Sequence, residues 1–296
     1  MRQGNLYKAI QGCKEDCEYP IDSACELLKV SRSAYYKWAG QKLSPRELEN
    51  RQIAEKAEEI HSEDPAKGYR RIRDDLFRYH DIKISDKKAL RICRTKDLKS
   101  TIKYKNPGCT RKDENPQHIA ANILNREFQA DRPNEKWLTD VTEFKYYEGI
   151  IVHKVYLSAI LDLYDRRIVA FRIMDRNDNQ LVFETFDQAV ITNPDAHPLF
   201  HSDRGYQYTS RMFNQKLMQA GMTQSMSRVA HCIDNGPMEG FWGILKRERY
   251  YGRRFTDRET LVKMVEDYIE YYNTKRLQRN LGILTPKMKH ELYLAA

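Results

Sequence analysis

The stretch of sequence that decides the fold lies between residues 137 and 173. It reads WLTDVTEF (137–144), HKVYLSAILDLY (153–164) and RRIVAFRI (166–173). Apolar and polar side chains alternate along the second and third segments, and this period of two is typical of β-strands that bury one face. A hairpin-like connection, Asp165-Arg166, separates those two segments. The pattern therefore predicts three neighbouring strands in an antiparallel meander.

The segments after the meander alternate between helical and strand patterns. Helices are predicted at about 179–191 and 210–220, and each is followed by a short strand, the first of which ends at LFHSD (199–203). A longer helix begins at Asn235, and a final helix covers about 257–273. Three strands followed by alternating helices and strands indicate a mixed α/β fold, with helices packed on a five-stranded mixed sheet.

The first hundred residues are predicted to be all-α. Two short helical segments, about 21–28 and SRSAYYKW (31–38), follow each other in a helix-turn-helix-like order. Ser44 and Pro45 mark the start of a longer helix, because serine is a common N-cap and proline is favoured in the first helical turn. Further helices are predicted at about 69–79 and after Ser85.

These patterns divide the chain into five predicted segments. They are a helix-turn-helix-like segment (1–42), a basic helical DNA-binding domain (43–105), a linker rich in Pro, Asn and Gly (106–134), the α/β core (135–252) and a helical tail (253–296).

Positive charge is concentrated in one part of the chain. The formal net charge is +9, and residues 67–112 contain sixteen Lys or Arg against five Asp or Glu. Within the predicted helix after Ser85, Lys87, Arg91 and Arg94 lie on one face, as insertion into a DNA major groove requires. Such a surplus suggests a polyanion-binding surface, whereas the alternative interpretation is a solvated helical face.

Composition limits the class of protein further. Hydrophobic residues make up 41% of the chain, yet no stretch is long and apolar enough for a membrane span, and the N-terminus lacks the apolar core of a secretory signal. We therefore expect a cytoplasmic protein with no membrane partner. The six cysteines show neither Cys-x-x-Cys spacing nor a nearby His pair, so we interpret them as reduced structural thiols.

Three widely separated acidic residues are candidates for catalysis. Asp140 lies within the first predicted strand, Asp203 follows a short apolar run, and Glu239 lies in the long helix after Asn235. Phosphoryl transfer at DNA is commonly assisted by two Mg²⁺ ions, which prefer hard carboxylate oxygens. Gathering three carboxylates without a cation would be costly, because like charges repel. The hypothesis requires that the three meet in the fold.

The helix that contains Glu239 has two distinct stripes. Met238, Phe241 and Leu245 form one apolar stripe, and a second stripe about 100° round the helix holds Glu239, Trp242 and Lys246. If the first stripe faces the core, the second places Glu239 and Lys246 at the edge of a cleft, where Lys246 can contact a DNA phosphate. The alternative is an exposed Glu and Lys on an ordinary amphipathic helix.

Other polar residues near these motifs are interpreted as structural. Asp162 and Asp165 are assigned to the hairpin between strands, and Glu143 to the strand face opposite Asp140. Asp234 is predicted to cap the following helix together with Asn235.

Three motifs together resemble a known family. TDVTEF (139–144), HSDRGYQY (201–208) and DNGPMEGFWGILKRE (234–248) look like the catalytic signature of the insertion-sequence-3 family of bacterial transposases, which is related to retroviral integrases. The 35 residues between Asp203 and Glu239 match the DD(35)E spacing of that group. VSRSAYYKW (30–38), KGYRRIRDDL (67–76) and YIEYYNTKRLQRNLGILTP (268–286) extend the resemblance to nearly the whole chain.

The resemblance implies a ribonuclease-H-like catalytic core and a set of site residues. Asp140, Asp203 and Glu239 would be the catalytic residues and the ligands of two Mg²⁺ ions, for which Mn²⁺ can substitute. Lys246 would contact DNA, and three further residues would border the site: His201, Arg204 and Asn235. Trp242 stands where the family often has a second Phe. The His-His-Cys-Cys zinc module of retroviral integrases has no counterpart here, so no structural zinc is expected.

The function implied is that of a DNA transposase that cleaves the ends of an insertion sequence and transfers them to target DNA. The expected partners are the terminal inverted repeats, target DNA, further copies of the chain on DNA and an upstream frameshift-fusion partner, in a nucleoid-associated bacterial setting. The residues predicted to bind DNA are Lys246, Lys87, Arg91, Arg94, Arg70 and Arg71. Two alternatives stay open: a DNA-binding regulator that has lost the chemistry, and a ribonuclease-H-like nuclease without transfer activity.

Overall fold

The computed structural model describes residues 2–17, 19–40, 44–102, 118–228 and 232–296. The chain forms two compact units, Met1–Glu59 and Ile60–Ala296. Within the described ranges, every helix is too short or too polar to cross a membrane.

The first unit is helical, as predicted. Its helices are α1 (Arg2–Cys17), α2 (Ile21–Leu27), α3 (Arg32–Ala39) and most of α4 (Pro45–Glu63). A small core of Ile10, Ala24, Cys25 and Tyr35 holds the first three helices together. At the start of α4, Ser44 and Glu47 form a reciprocal capping box: the Ser44 amide donates to Glu47 Oε2 (2.9 Å) and the Glu47 amide donates to Ser44 Oγ (3.3 Å).

A helix-turn-helix-like pair opens the second unit. It consists of α5 (Tyr69–His80) and α6 (Asp86–Thr95). Ser85 is the N-cap of α6, as predicted, and its Oγ accepts a hydrogen bond from the amide of Lys88 at 3.2 Å. The inner faces of the two helices carry buried apolar side chains, which leaves the basic side of α6 exposed.

The sheet of the second unit has five strands, as predicted. They are β1 (Lys136–Glu148), β2 (Ile151–Asp162), β3 (Ile168–Met174), β4 (Leu199–Ser202) and β5 (Thr223–Met226). The spatial order is β3-β2-β1-β4-β5. The first three strands pair antiparallel, whereas β4 runs parallel to β1 and β5 runs parallel to β4. The antiparallel meander and the mixed character of the sheet are therefore confirmed.

Helices cover both faces of this sheet. They are α7 (Asn179–Thr192), α8 (Arg211–Gln219), α9 (Gly236–Leu245) and α10 (Arg258–Thr274). The last helix, α11 (Pro286–Leu294), packs against α10. Neighbouring residues of β1 point to opposite faces, so Leu138 joins a core with α9 and α10, while Trp137 joins a core with α7 and α8. The long helix predicted from Asn235 is α9 followed by a π-helical turn, Lys246–Tyr250, here called the π turn.

Part of the predicted linker packs against the sheet. Leu124 is 1% exposed and belongs to the core beside α9 and α10. The amides of Ile123 and Leu124 donate hydrogen bonds to Ser225 Oγ on β5, at 3.0 and 3.1 Å. Residues 103–117 lie outside the described ranges, and the five domain limits stay predictions.

Candidate active site

The pairing of β1 with β4 brings Asp140 and Asp203 to the same level of the sheet. The last paired residues of the two parallel strands are Leu138 and His201. Asp140 stands two residues further along β1 and shares the face of Leu138, and Asp203 stands one residue after the end of β4. The register therefore brings the two aspartates near each other where the chain leaves β4, and the charge of Asp203 helps to raise the pKa of Asp140.

Two hydrogen bonds fix helix α9 over this point. Asn235, just before the helix, donates from Nδ2 to the carbonyl oxygen of Thr139 at 3.1 Å. Trp242 donates from Nε1 to Asp140 Oδ2 at 3.0 Å. Residues 235, 239 and 242 follow the i, i+4, i+7 spacing of one helix face. Glu239 therefore lies between two attachments to β1 and on the side of α9 that faces the aspartates.

The three carboxylates affect one another electrostatically. Burial raises the pKa of Asp140 to about 8, and the negative charges of Asp203 and Glu239 add to the effect. Burial also raises the pKa of Asp203, and burial together with the charge of Asp203 raises the pKa of Glu239. The site still opens to solvent, since Asp140 and Asp203 are partly exposed and Glu239 is exposed.

Backbone and ring N–H groups already hold the two aspartates. Besides its bond from Trp242, Asp140 accepts the amide of Val141 on Oδ1 at 2.8 Å. Asp203 Oδ1 accepts the amide of Gly205 at 2.8 Å. These bonds fix the carboxylate orientations without neutralising their charge.

The chemistry of these donors suits a hard divalent cation, because all three side chains offer carboxylate oxygens and none forms an ion pair with a basic residue of the described chain. Among the described residues, no group of three or more His, Cys, Asp or Glu side chains is arranged tightly enough to hold a metal ion. Mutual repulsion keeps carboxylates apart when no cation lies between them. A metal ion at this site would therefore have to draw the three side chains together.

The two stripes predicted on α9 are present. Met238, Phe241 and Leu245 are buried in the core, at 0%, 1% and 0% exposure. Lys246 directly follows α9, and its Nζ lies 5.0 Å from the centre of the Phe144 ring. Burial lowers the pKa of Lys246, and the charge of nearby Asp140 opposes that shift. Lys246 thus interacts electrostatically with a carboxylate of the candidate site.

His201 is a neutral, buried support for the end of β4. Ser225 Oγ already accepts two backbone N–H groups, so its own hydrogen is free for His201 Nδ1 at 2.9 Å. His201 then carries its hydrogen on Nε2 and donates to Ser227 Oγ at 3.1 Å. Burial lowers the pKa of His201 to about 4. Arg204 donates from Nε to the carbonyl of Ser227 at 2.9 Å, which braces the same end of the sheet.

The aspartates of the hairpin have structural partners, as predicted. Asp162 accepts the backbone amides of Asn134 (2.6 Å) and Tyr164 (2.8 Å). Asp165 lies 2.7 Å from Nδ1 of His290 on α11. Their carboxylates therefore hold the β2–β3 turn to neighbouring segments.

The predicted capping role of Asp234 is wrong. Asn235 is the N-cap of α9 and makes no side-chain capping bond. Asp234 is fully buried and accepts from Arg228 Nε (2.9 Å), Arg126 Nε (2.7 Å) and Asn122 Nδ2 (3.1 Å). Hydrogen bonds from Arg228 hold its pKa well below the usual range. Two of these partners lie more than a hundred residues away, so no local pattern could have indicated them.

The basic residues predicted to contact DNA differ in their surroundings. Lys87, Arg91 and Arg94 are exposed, and they line a shallow groove on α6 together with Leu90 and Thr95. Arg70 is exposed next to the Tyr69 ring. Arg71 faces the interior of the second unit instead.

Arg71 is engaged in ion pairs, with Asp64 at 3.4 Å and with Glu248 at 3.0 Å. These ion pairs indicate a structural role for Arg71, and they do not support the prediction that it contacts DNA.

Comparison with known protein families defines the class of protein. Residues 130–232 and 239–291 match profiles of the integrase core domain, and residues 47–106 match an HTH-like domain. The sheet order and these matches identify a ribonuclease-H-like integrase core preceded by a helical, HTH-like region. The chain is thus an enzyme of the integrase and DDE transposase class, and both kinds of domain imply DNA as its partner.

Curated relatives narrow the class to a family. The InsK protein of insertion sequence element IS150 from Escherichia coli K12 is 35% identical over 279 residues, which cover 93% of this chain and 95% of that protein. The transposase InsF of insertion sequence IS3A, from the same organism, is 28% identical over 95% of this chain and 98% of its own length. The chain belongs to the insertion-sequence-3 family of bacterial transposases.

Solved structures with a similar fold are more distant in sequence. The catalytic core domain of HTLV-2 integrase in complex with magnesium is 17% identical, with a TM-score of 0.42, and the match covers 54% of this chain and 98% of that chain. The intasome of simian T-cell lymphotropic virus, in complex with the PP2A regulatory subunit B56 gamma, matches at 17% identity and a TM-score of 0.48. That match covers 79% of this chain and 74% of the other.

Proposed function

We propose that this transposase cleaves DNA at the ends of an insertion sequence and joins the freed ends to target DNA, with Asp140, Asp203 and Glu239 as its catalytic metal ligands. The observation that carries the proposal is the convergence of β1, β4 and α9. The β1–β4 register aligns the two aspartates, and two hydrogen bonds to β1 flank Glu239.

Two divalent cations, Mg²⁺ or Mn²⁺, would supply the activation of the attacking oxygen and the stabilisation of the leaving oxygen. Asp140 interacts electrostatically with both other carboxylates and would hold the cations together with Asp203 and Glu239. Trp242 holds the Asp140 carboxylate in a fixed orientation. Lys246 would bind a phosphate of the reacting strand.

The reaction has two steps, hydrolysis and strand transfer. Water attacks a phosphodiester at the element end, the phosphorus–oxygen bond breaks, and a 3′-hydroxyl is released. That hydroxyl then attacks a phosphodiester of the target in line, loses its proton and displaces the target's own 3′-oxygen. No covalent bond forms between protein and DNA.

DNA binding is assigned to the exposed face of α6. Lys87, Arg91 and Arg94 project from one helix that is short and capped, a geometry suited to a major groove. Arg70 adds a phosphate contact from α5. These residues would bind the terminal inverted repeats, and joining two ends requires at least two copies of the chain on DNA. We also propose that the chain acts with an upstream partner to which it is joined by a translational frameshift.

The triad is tested with labelled DNA duplexes that carry candidate element ends, incubated with Mg²⁺ and wild type or Asp140→Asn, Asp203→Asn or Glu239→Gln. Glu266→Gln serves as the control, because Glu266 is an exposed carboxylate on α10.

We expect nicking and joining by wild type and the control, and duplex binding by all five proteins. Activity in a triad variant, or activity without added metal, refutes the assignment. Cleavage without joining by wild type would favour a nuclease.

A further inference from the structure

A buried cluster of charges in the second unit links α5 to the helix that carries Glu239. Its centre is Glu248 in the π turn, whose side chain is 3% exposed. The Glu248 carboxylate binds Arg71 of α5 at 3.0 Å and Arg276, just after α10, at 2.9 Å. Tyr268 of α10 donates its hydroxyl to Glu248 Oε2 at 3.0 Å.

A second carboxylate repeats this arrangement next to the first. Asp64, just after α4, binds Arg249 of the π turn at 3.3 Å and Arg71 at 3.4 Å. The Tyr271 hydroxyl donates to Asp64 at 3.2 Å and also accepts a hydrogen bond from Arg71. Arg71 therefore contacts both carboxylates, Glu248 in the π turn and Asp64 just after α4.

The cluster would be electrically neutral without Arg71. Three arginines surround two carboxylates, and without Arg71 the Asp64–Arg249 and Glu248–Arg276 pairs would still be complete. Arg71 is also the member of this cluster that connects α5 to the π turn. Arg71 therefore serves to connect α5 to the π turn.

The connection leads directly to the candidate active site. Glu248 stands two residues after Lys246 and nine after Glu239, in one continuous run of helical backbone. π-helical turns are rare and are found frequently at functional sites. On the other side, α5 packs against α6, whose exposed basic face is the proposed DNA-binding surface.

We propose that Arg71 is a positioning residue. By pairing with Glu248 it holds the α5–α6 pair at a fixed place relative to α9, so that DNA bound on α6 enters the active site at a defined distance from Glu239. This inference rests on the function proposed above. It also separates Arg71 from its sequence neighbour Arg70, which faces solvent.

The test compares Arg71→Gln with Arg70→Gln and Arg71→Lys in the full chain. Amide hydrogen exchange without DNA reports on the connection itself, in α5 and in the π turn. Fluorescence anisotropy with a labelled terminal-repeat duplex measures binding. Cleavage of the bound duplex on a sequencing gel gives both the rate and the positions of the cut.

For Arg71→Gln we expect faster exchange in both segments, unchanged duplex affinity, scattered cut positions and cleavage about tenfold slower, as expected for a coupling residue. Arg71→Lys keeps the charge without the forked geometry and should partly restore the cut position. Arg70→Gln should leave exchange and cut positions unchanged and weaken binding.

Two results would overturn the proposal. One is unchanged exchange in Arg71→Gln; the other is weaker duplex binding with normal cleavage of the bound DNA, which would make Arg71 a DNA contact. If the wild type fails to cleave at all, the proposed function fails, and hydrogen exchange still decides whether Arg71 connects the two segments.

Discussion

Replacement of Glu248 by Gln should destabilise the second unit strongly at neutral pH. Gln keeps the shape of the side chain and can still accept from Tyr268, but it removes the charge that faces Arg276 and Arg71. Their side chains are 13% and 19% exposed, so water cannot fully replace the carboxylate. Removing one partner of a buried ion pair costs about 3–5 kcal/mol, and the retained hydrogen bonds favour the lower end.

The loss should be visible in both thermal and chemical unfolding. For a unit of this size each kcal/mol shifts Tm by about 2–4 °C, so a loss of about 3 kcal/mol lowers Tm by about 6–12 °C. Urea unfolding followed by circular dichroism should show a lower midpoint with an unchanged slope. Glu266→Gln, at an exposed position of α10, is the matched control and should leave both quantities unchanged.

The difference in unfolding free energy between wild type and Glu248→Gln should depend on pH. Burial raises the pKa of Glu248, but the charges of Arg276 and Arg71 outweigh burial and lower it below its ordinary value of 4.5. A lowered pKa means that the stabilisation is fully present above pH 4.5 and is lost as the pH falls through the folded-state pKa. The gap between wild type and Glu248→Gln should therefore shrink in acid. A gap that stays constant with pH, or one below about 1 kcal/mol at pH 7, the scale of a surface pair, would refute the reasoning.

Four further substitutions test other parts of the structure. Trp242→Phe should weaken Mg²⁺ binding about tenfold in a calorimetric titration without DNA, because it removes the N–H that orients Asp140. Lys87→Gln and Arg91→Gln should each reduce the slope of log K against log salt by about 1 for element-end binding, as expected for one lost phosphate contact. Leu124→Ala should cost about 2–5 kcal/mol in urea unfolding, because Leu124 is 1% exposed in the core.

Each of these substitutions has a matched control in the chain. Trp38→Phe, in the first unit, should leave Mg²⁺ affinity unchanged, and exposed Lys275→Gln should leave the salt slope unchanged. Ile123→Ala removes a side chain that is 52% exposed and should cost less than Leu124→Ala. An effect as large in the control as in the test variant would contradict the corresponding explanation.

Local sequence patterns predicted the type and order of the elements of the fold. The alternation over residues 153–173 corresponds to β2 and β3, and the Ser85 cap begins α6 as expected. The alternation did not predict that residues 157–162 of β2 are buried on both faces, because helices cover both sides of the sheet. The π turn was not predicted, since a run such as KRERY has no periodicity that distinguishes it from an α-helix. The packing of Leu124 was also missed, because it depends on Ser225, a hundred residues away.

In the candidate site, too, local motifs identified residues, whereas contacts between distant residues could not be predicted. Asp140, Asp203 and Glu239 were found through motifs and their spacing, and their role as metal ligands stays a proposal. The bond from Trp242 to Asp140 could not be predicted, since it depends on how α9 lies on β1. Arg71 was grouped with the DNA-binding residues because its neighbours are basic, whereas its partner Glu248 is distant in sequence.

The way charge is compensated distinguishes the candidate site from the rest of the fold. Three buried carboxylates elsewhere in the second unit have arginine partners and lowered pKa values; they are Asp64, Glu248 and Asp234. Burial raises the pKa of Asp75, but this carboxylate is still compensated by an ion pair with Lys67. The raised pKa of the hairpin carboxylate Asp162, about 7, follows from burial and from Asp165, which itself contacts His290. The candidate triad has raised pKa values and no ion pair with a described basic residue, although Asp140 and Asp203 are anchored by N–H donors. An open cleft that orients three carboxylates without an ion pair to a described basic residue is suited to cations from solution, and the DNA phosphates that would approach it increase that requirement.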